Sequence, residues 1–190
     1  MGRWQPDARE RLVAAALELF NERGYDETTV AQIAERAGLT KSTFFRHFPD
    51  KRDLLAAGQD TIAQLLREGI AAAPADATPL AVVCCGLKSA AAAFTSFNRE
   101  LAPRLKAAIA ASTELQERNA LKQIGLSTAM AEALQTRGIP APTAVLAAEL
   151  GAVAFKTAYA QWGEPGEEQD LGAMACAALR ELHAAAVDLG

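Results

Sequence analysis

The chain has 190 residues, enough to bury a substantial core in one generous domain or two small ones. Hydrophobic residues make up 51% and charged residues 22%, a balance that excludes a disordered chain. Ala contributes 44 residues while aromatics reach only 6%, which predicts an all-α protein over a β one. The net charge of −4 argues against nucleic acid until its distribution is read. Residues 39–52 carry Lys41, Arg46, Lys51 and Arg52 against Asp50 alone, with His47 in addition. One short basic segment therefore sits in an otherwise acidic chain, and its position matters more than the total.

The N-terminal stretch holds no apolar signal core and no apolar run approaches 18 residues, so the expectation is a soluble, cytoplasmic protein without a membrane partner. Arg3 and Trp4 precede the first helix, where Trp4 covers its end or the pair reaches a minor groove as an arm. Asp7 and Glu10 fit a capping box, and Leu12, Val13, Ala16, Leu19 and Phe20 recur at helical spacing up to Gly24. A second box at Thr29 and Gln32 opens a two-turn helix closed by Gly38. Thr40 then caps a third helix, from Lys41 to about Phe48, with Phe44 and Phe48 on one face. Three short helices with a tight glycine turn before the third match a helix-turn-helix, whose third helix enters the major groove. Its outward positions are Lys41, Ser42, Thr43, Arg46 and His47. Asp50 is the expected cap of a fourth helix running through Arg52 to about Ala72, with Lys51 and Arg52 in its first turn, where a phosphate would relieve their conflict with the helix dipole.

The stretch ALELFNERGYDETTVAQIAERAGLTKSTFFRHFPDKRDLL resembles the TetR family of bacterial transcriptional regulators. The resemblance implies a nine- or ten-helix homodimer with N-terminal DNA-binding heads, here residues 1–50, and an effector-binding and dimerisation domain, here 51–190. It assigns Thr29 and Lys51 to phosphates and Lys41, Ser42 and Thr43 to the reading end of the third helix, with Arg46 and His47 flanking it. Phe45 stands where the family usually has Tyr, so the backbone hydrogen bond of that hydroxyl is lost and Phe45 is left to pack against sugar or a thymine methyl. Lys51 and Thr43 both point away from the head's core in this reading, so their removal is expected to leave folding almost unchanged.

Beyond the head, pattern predicts helices at 80–97, 99–111, 113–137, 145–162 and 170–189, nine in all. The last two form a hairpin with Ala-rich faces, Ala178 included, suited to the family's dimer interface. His47 and His183 lie far apart and no nucleophile, phosphate-loop or metal-ligand motif is present, so no catalytic residue, metal or cofactor is expected. Cys84, Cys85 and Cys176 read as small buried hydrophobes without a disulfide framework. By resemblance, Phe94, Phe97, Met130, Phe155, Tyr159 and Trp162 line an effector cavity; by spacing alone ordinary core is the favoured reading of each. Few Arg or Lys lie near them, which favours an apolar or amphipathic effector. The expected function is a ligand-responsive repressor that holds a palindromic DNA operator as a homodimer. The competing class is a small-molecule-binding helical protein whose helix-turn-helix has lost DNA.

Overall fold

Local capping chemistry sets where most of the helices start. The structure, a computed structural model, describes residues 7–54, 58–164 and 169–189; the expected roles of Arg3 and Trp4 lie outside these. Helix α1 (Ala8–Arg23) starts at Asp7, whose carboxylate accepts from Glu10 N–H at 2.9 Å while Glu10 returns the bond. Helix α2 (Val30–Arg36) has the same reciprocal box between Thr29 and Gln32, and α3 (Lys41–His47) is capped by Thr40. The rest is α4 (Gln59–Ala71), α5 (Pro79–Ala91), α6 (Ser96–Ala111), α7 (Thr113–Thr136), α8 (Ala141–Trp162) and α9 (Leu171–Asp188). The described residues thus hold nine α-helices and no strand, an all-helical fold. None of these helices is by itself long and apolar enough to cross a membrane.

Two expected helices are cut short. Residues Lys51–Leu54 form a single 3₁₀ turn, and α4 begins only at Gln59 behind Gly58, whose φ of 81° lies in the left-handed region. Asp50 spends its carboxylate on Arg52 at 2.8 Å and does not cap a continuous helix. Helix α5 ends at Ala91, short of Phe97, because Asn98 Oδ1 accepts from Thr95 N–H at 2.9 Å and starts α6 instead. That local cap overrides the helix propensity of the alanine run, and it puts Phe94 in a turn and Phe97 in the first turn of α6.

The described chain falls into two compact units, Met1–Ala57 with Pro103–Ala120, and Gly58–Ala102 with Leu121–Gly190. The first unit is therefore not contiguous, unlike a division at residue 50. Its added segment is held by polar contacts to α1. Asn21 Nδ2 donates to the Arg104 carbonyl at 3.0 Å, Arg104 pairs with Glu18 at 3.0 Å, and the Tyr25 hydroxyl donates to Glu114 at 3.1 Å.

In the second unit, α4, α5, α7, α8 and α9 share one core, with Ile70, Val83, Leu87, Leu134, Ala154 and Ala175 among its most buried side chains. The α4–α5 crossing is backbone against backbone. A Cβ on Gly69 would stand 2.6 Å from the Cys85 carbonyl oxygen and 2.8 Å from Gly86 Cα. Gly69→Ala therefore gains helix propensity but must push two helices apart, and the second effect wins. We expect a loss of about 1–3 kcal/mol in urea unfolding; unchanged or raised stability would mean that the crossing is looser than the structure has it.

Candidate functional site

The turn between α2 and α3 closes through two backbone bonds, from Gly38 N–H to the Glu35 carbonyl at 2.9 Å and from Leu39 N–H to the Ala34 carbonyl at 2.8 Å. This paired pattern needs a left-handed residue after the helix, and Gly38 supplies it at φ 66°. Arg11, from α1, caps the same turn: its guanidinium donates to the Ala37 carbonyl and to the Gly38 carbonyl at 3.4 Å. Arg36 forks onto Glu22 at 2.8 and 2.9 Å and holds that carboxyl below its ordinary range, tying α2 to α1. Phe44 and Phe48 bury the inner side of α3, with Phe44 wholly enclosed. The angle at which α3 leaves the turn is thus fixed by backbone bonds, one arginine and two aromatic rings.

The outer side of α3 presents Lys41, Ser42, Phe45 and Arg46 to solvent, while Thr43 and His47 are half-buried. Among the described residues, neither Lys41 nor Arg46 has an ion-pair partner. Thr43 Oγ1 lies 3.0 Å from Thr40 Oγ1, so its hydroxyl is oriented by the cap. Phe45 is 53% exposed, an unusual cost for a ring that has an apolar face of its own helix available. The arrangement offers two uncompensated cations, two hydroxyls and an apolar ring on one short face, which suits a surface of phosphates and base edges.

Two expected phosphate contacts are engaged within the protein. The Lys51 ammonium donates to the Tyr25 carbonyl at 2.7 Å and the Thr28 carbonyl at 2.9 Å, and sits 3.9 Å from the centre of the Tyr25 ring. It ties together the turn between α1 and α2, and one of its three N–H donors remains for another partner. The expectation that Lys51 is irrelevant to folding is corrected by this geometry. The Thr29 hydroxyl accepts from Gln32 N–H at 3.3 Å and donates to Gln32 Oε1 at 3.0 Å, so it serves the cap of α2. Tyr25 is part of the same assembly: burial, then its bond to Glu114, pushes its phenol well above the ordinary range. Arg11 and Tyr25 carried no sequence signal, because each acts on groups far along the chain.

The aromatic residues of the second unit do gather. Phe94 packs edge-on against Phe155 at 5.6 Å, Tyr159 at 5.4 Å and Trp162 at 6.4 Å between ring centres. Beside them lies a cavity of about 10 Å³, lined by Leu87, Ala90, Gln123, Met130, Ala152 and Phe155 among others. That volume holds one water at most. Of the six expected lining residues, Met130 and Phe155 face it; Phe94, Tyr159 and Trp162 pack as a cluster at its side, and Phe97 lies half-buried in the first turn of α6. Cations near the cluster were expected to be few, and Arg99 is one, standing 5.5 Å over the Trp162 ring. Tyr159, its phenol pushed up to about 12 by burial, donates to the Asn98 carbonyl at 3.4 Å. No group of three His, Cys, Asp or Glu side chains among the described residues could hold a metal ion.

A helix-turn-helix head with a basic, partly apolar recognition face defines a DNA-binding class of protein. Residues 12–57 match the family of bacterial regulatory proteins described as the tetR family. The HTH-type transcriptional regulator TcmR of Streptomyces glaucescens is 39% identical over 72 residues, 38% of this chain and 32% of that protein. The HTH-type transcriptional regulator BetI of Cronobacter sakazakii is 40% identical over 68 residues, 36% and 34% of the two chains. The match thus spans about a third of these curated relatives. The whole fold is similar to the transcriptional regulator FadR of Bacillus subtilis, crystallised with stearoyl-CoA, at a TM-score of 0.59 and 19% identity over 90% of this chain and 96% of that one. Residues 12–57 thus carry the head of the tetR family, and the remainder shares the fold of such regulators.

Removing the Lys51 ammonium takes the donor from the Thr28 carbonyl and leaves the Tyr25 carbonyl with the Thr28 N–H at 3.2 Å. Lys51→Ala is therefore expected to lower stability by about 1.5–3 kcal/mol, as for other hydrogen bonds from charged groups. Chemical denaturation followed by tryptophan-independent circular dichroism measures it, and a change within error of zero would return Lys51 to a purely external role.

Proposed function

We propose that this chain is a ligand-responsive DNA-binding transcriptional regulator: a repressor that holds a palindromic operator as a homodimer and is released by a small apolar or amphipathic effector. The observation that carries the reading is the outer face of α3, where Lys41 and Arg46 are unpaired and Phe45 is half exposed on a rigidly oriented helix. Lys41, Ser42, Thr43, Phe45, Arg46 and His47 are its DNA-facing residues, and Thr29 and Lys51 reach phosphate only with the donor capacity their internal bonds leave. A protein with this task works in the cytoplasm, beside the chromosome.

Dimerisation uses α8 and α9 in this reading. Val145, Leu146 and Val153 are 49%, 61% and 46% exposed, a row of large apolar side chains along one side of α8. Ala178, expected on that interface, is buried in the core of its own unit, so substituting it would test folding instead. Effector binding requires the cavity beside Met130 and Phe155 to open by movement of the Phe94, Tyr159 and Trp162 rings, because 10 Å³ admits no organic molecule. Arg99 and the Tyr159 hydroxyl at the cluster's edge favour an amphipathic ligand over a wholly apolar one, and the stearoyl-CoA bound by FadR of Bacillus subtilis is of that kind. Helices α6 and α7 each contribute residues to both units, which gives a ligand-driven shift a covalent route to the head.

The test is a titration of fluorescent duplexes, drawn from the DNA flanking the gene and enriched for tight binders, at several salt concentrations. Affinity should fall steeply with salt, and Arg46→Ala should weaken the selected duplex by about 1–3 kcal/mol if it meets a base edge. Equal, salt-insensitive affinity for selected and scrambled duplexes would leave only the small-molecule-binding reading.

For the dimer, Leu146→Arg should convert the protein towards monomer in sedimentation velocity while its helical circular dichroism stays intact. A wild-type monomer at micromolar concentration, or a variant that still sediments as a dimer, removes α8 from the interface.

A further inference from the structure

The cysteines expected to be separate buried hydrophobes include a bonded pair. Cys84 of α5 and Cys176 of α9 form a disulfide across 92 residues of sequence, with Cα atoms 5.4 Å apart, while Cys85 is free. The separation is ordinary for a disulfide. Small residues bring the two helices this close: a Cβ on Gly172, one turn before Cys176, would stand 3.2 Å from the Cα of Lys88, one turn after Cys84. The helices are therefore in register over at least a turn, and the pair needs no backbone movement to join. The two sulfurs differ in access: Cys176 is 3% exposed, whereas Cys84 is only partly buried at the edge of the core.

We propose that Cys84 and Cys176 are a reversible redox modification site, oxidised by hydroperoxides, whose disulfide staples α5 to α9 and holds the neighbouring cavity closed. The covalent part stands on the pairing alone; reversibility and the consequence for ligands rest on the regulatory reading above. A DNA-binding regulator works in a reducing compartment, where disulfides are usually transient and sensory. The oxidation balances without any group beyond the peroxide. The accessible Cys84 sulfur attacks one peroxide oxygen, the O–O bond breaks, and the alcohol ROH leaves with the thiol proton, giving a sulfenic acid. Cys176 sulfur then attacks that sulfur, the S–O bond breaks, and hydroxide leaves with the second thiol proton as water. Two electrons pass from the sulfurs to oxygen, and a dithiol reductant reverses the change by exchange. The consequence follows from position: Leu87 and Ala90, on the same helix as Cys84 and within two turns of it, line the cavity against Ala152 and Phe155 of α8. Turning of the aromatic rings opens the side of the cavity, but widening it between α5 and α8 also moves α5, and the staple opposes that movement.

The full-length protein is reduced with dithiothreitol, desalted, treated with hydrogen peroxide, and alkylated in denaturant for mass spectrometry. Reduced protein should take up three alkyl groups, and oxidised protein one, on Cys85, with a Cys84–Cys176 cross-linked peptide that dithiothreitol removes. Closure of so long a loop should raise the melting temperature of the oxidised form by about 10 °C. The amphipathic fluorophore 1-anilinonaphthalene-8-sulfonate should bind the reduced form at least about fivefold more tightly, and this dependence should vanish in Cys176→Ser and persist in Cys85→Ser. Three alkyl groups after peroxide, or a cross-link through Cys85, overturns the redox site. A disulfide that forms but leaves fluorophore affinity unchanged overturns the staple's hold on the cavity. Absence of DNA binding in both redox states, with the mapped disulfide intact, counts against the regulatory reading and leaves the redox chemistry standing.

Discussion

Carbonyl groups that run out of helical partners are the constraint on which this molecule's turns depend. Every helix ends with carbonyls its own backbone cannot satisfy, and buried ones must find a donor. Here three cations supply it from distant parts of the chain. Arg11 caps the Ala37 and Gly38 carbonyls after α2, and Lys51 holds those of Tyr25 and Thr28 between α1 and α2. Arg137 reaches Ile70 and Ala71 at 3.1 and 2.9 Å at the end of α4, and Pro74 at 2.8 Å. Arg11 and Arg137, at the C-termini of α2 and α4, also meet the negative end of a helix dipole, so those contacts work twice. The direction of α3, and with it everything its outer face can touch, follows from the first two.

The second unit is built on small side chains. Alanine and glycine let α4, α5, α8 and α9 approach closely, and the same closeness that leaves almost no empty volume brings Cys84 to Cys176. A core packed in this way resists deformation, and its tolerance for a ligand resides at the aromatic edge, where Phe94 meets Tyr159 and Trp162 edge-on and the half-buried rings of Phe94 and Tyr159 can turn. On α5 the disulfide lies one turn from Leu87, which lines the cavity. Packing, ligand access and thiol chemistry are therefore consequences of a single helix crossing pattern.

Electrostatics divides the chain's labour. The whole is acidic, yet the cations of residues 39–52 are not equivalent. Arg52 is neutralised by Asp50 and Lys51 is spent on carbonyls, so the field presented outward comes from Lys41 and Arg46 on α3. The net charge of +3 read from sequence stands, but only two of the four cations are unengaged. What remains is smaller but better aimed, since both charges stand on one rigid two-turn helix.

The sequence by itself determined what depends on neighbours in the chain. Caps at Asp7, Thr29 and Thr40 were legible because a short acceptor and its N–H lie within three residues, and the glycine of the α2–α3 turn because its conformation is local. The family resemblance and the outward set on α3 rested on the same short-range order. Tertiary structure decided whatever joins residues far apart: the carbonyls that occupy Lys51 and Arg11, the pairing of Cys84 with Cys176, the burial of Ala178, and the collapse of the presumed pocket to a single-water void. The physical reason is that helix propensity and capping are set by backbone geometry over one turn, whereas a donor's partner, a sulfur's neighbour and a cavity's volume depend on how whole helices cross.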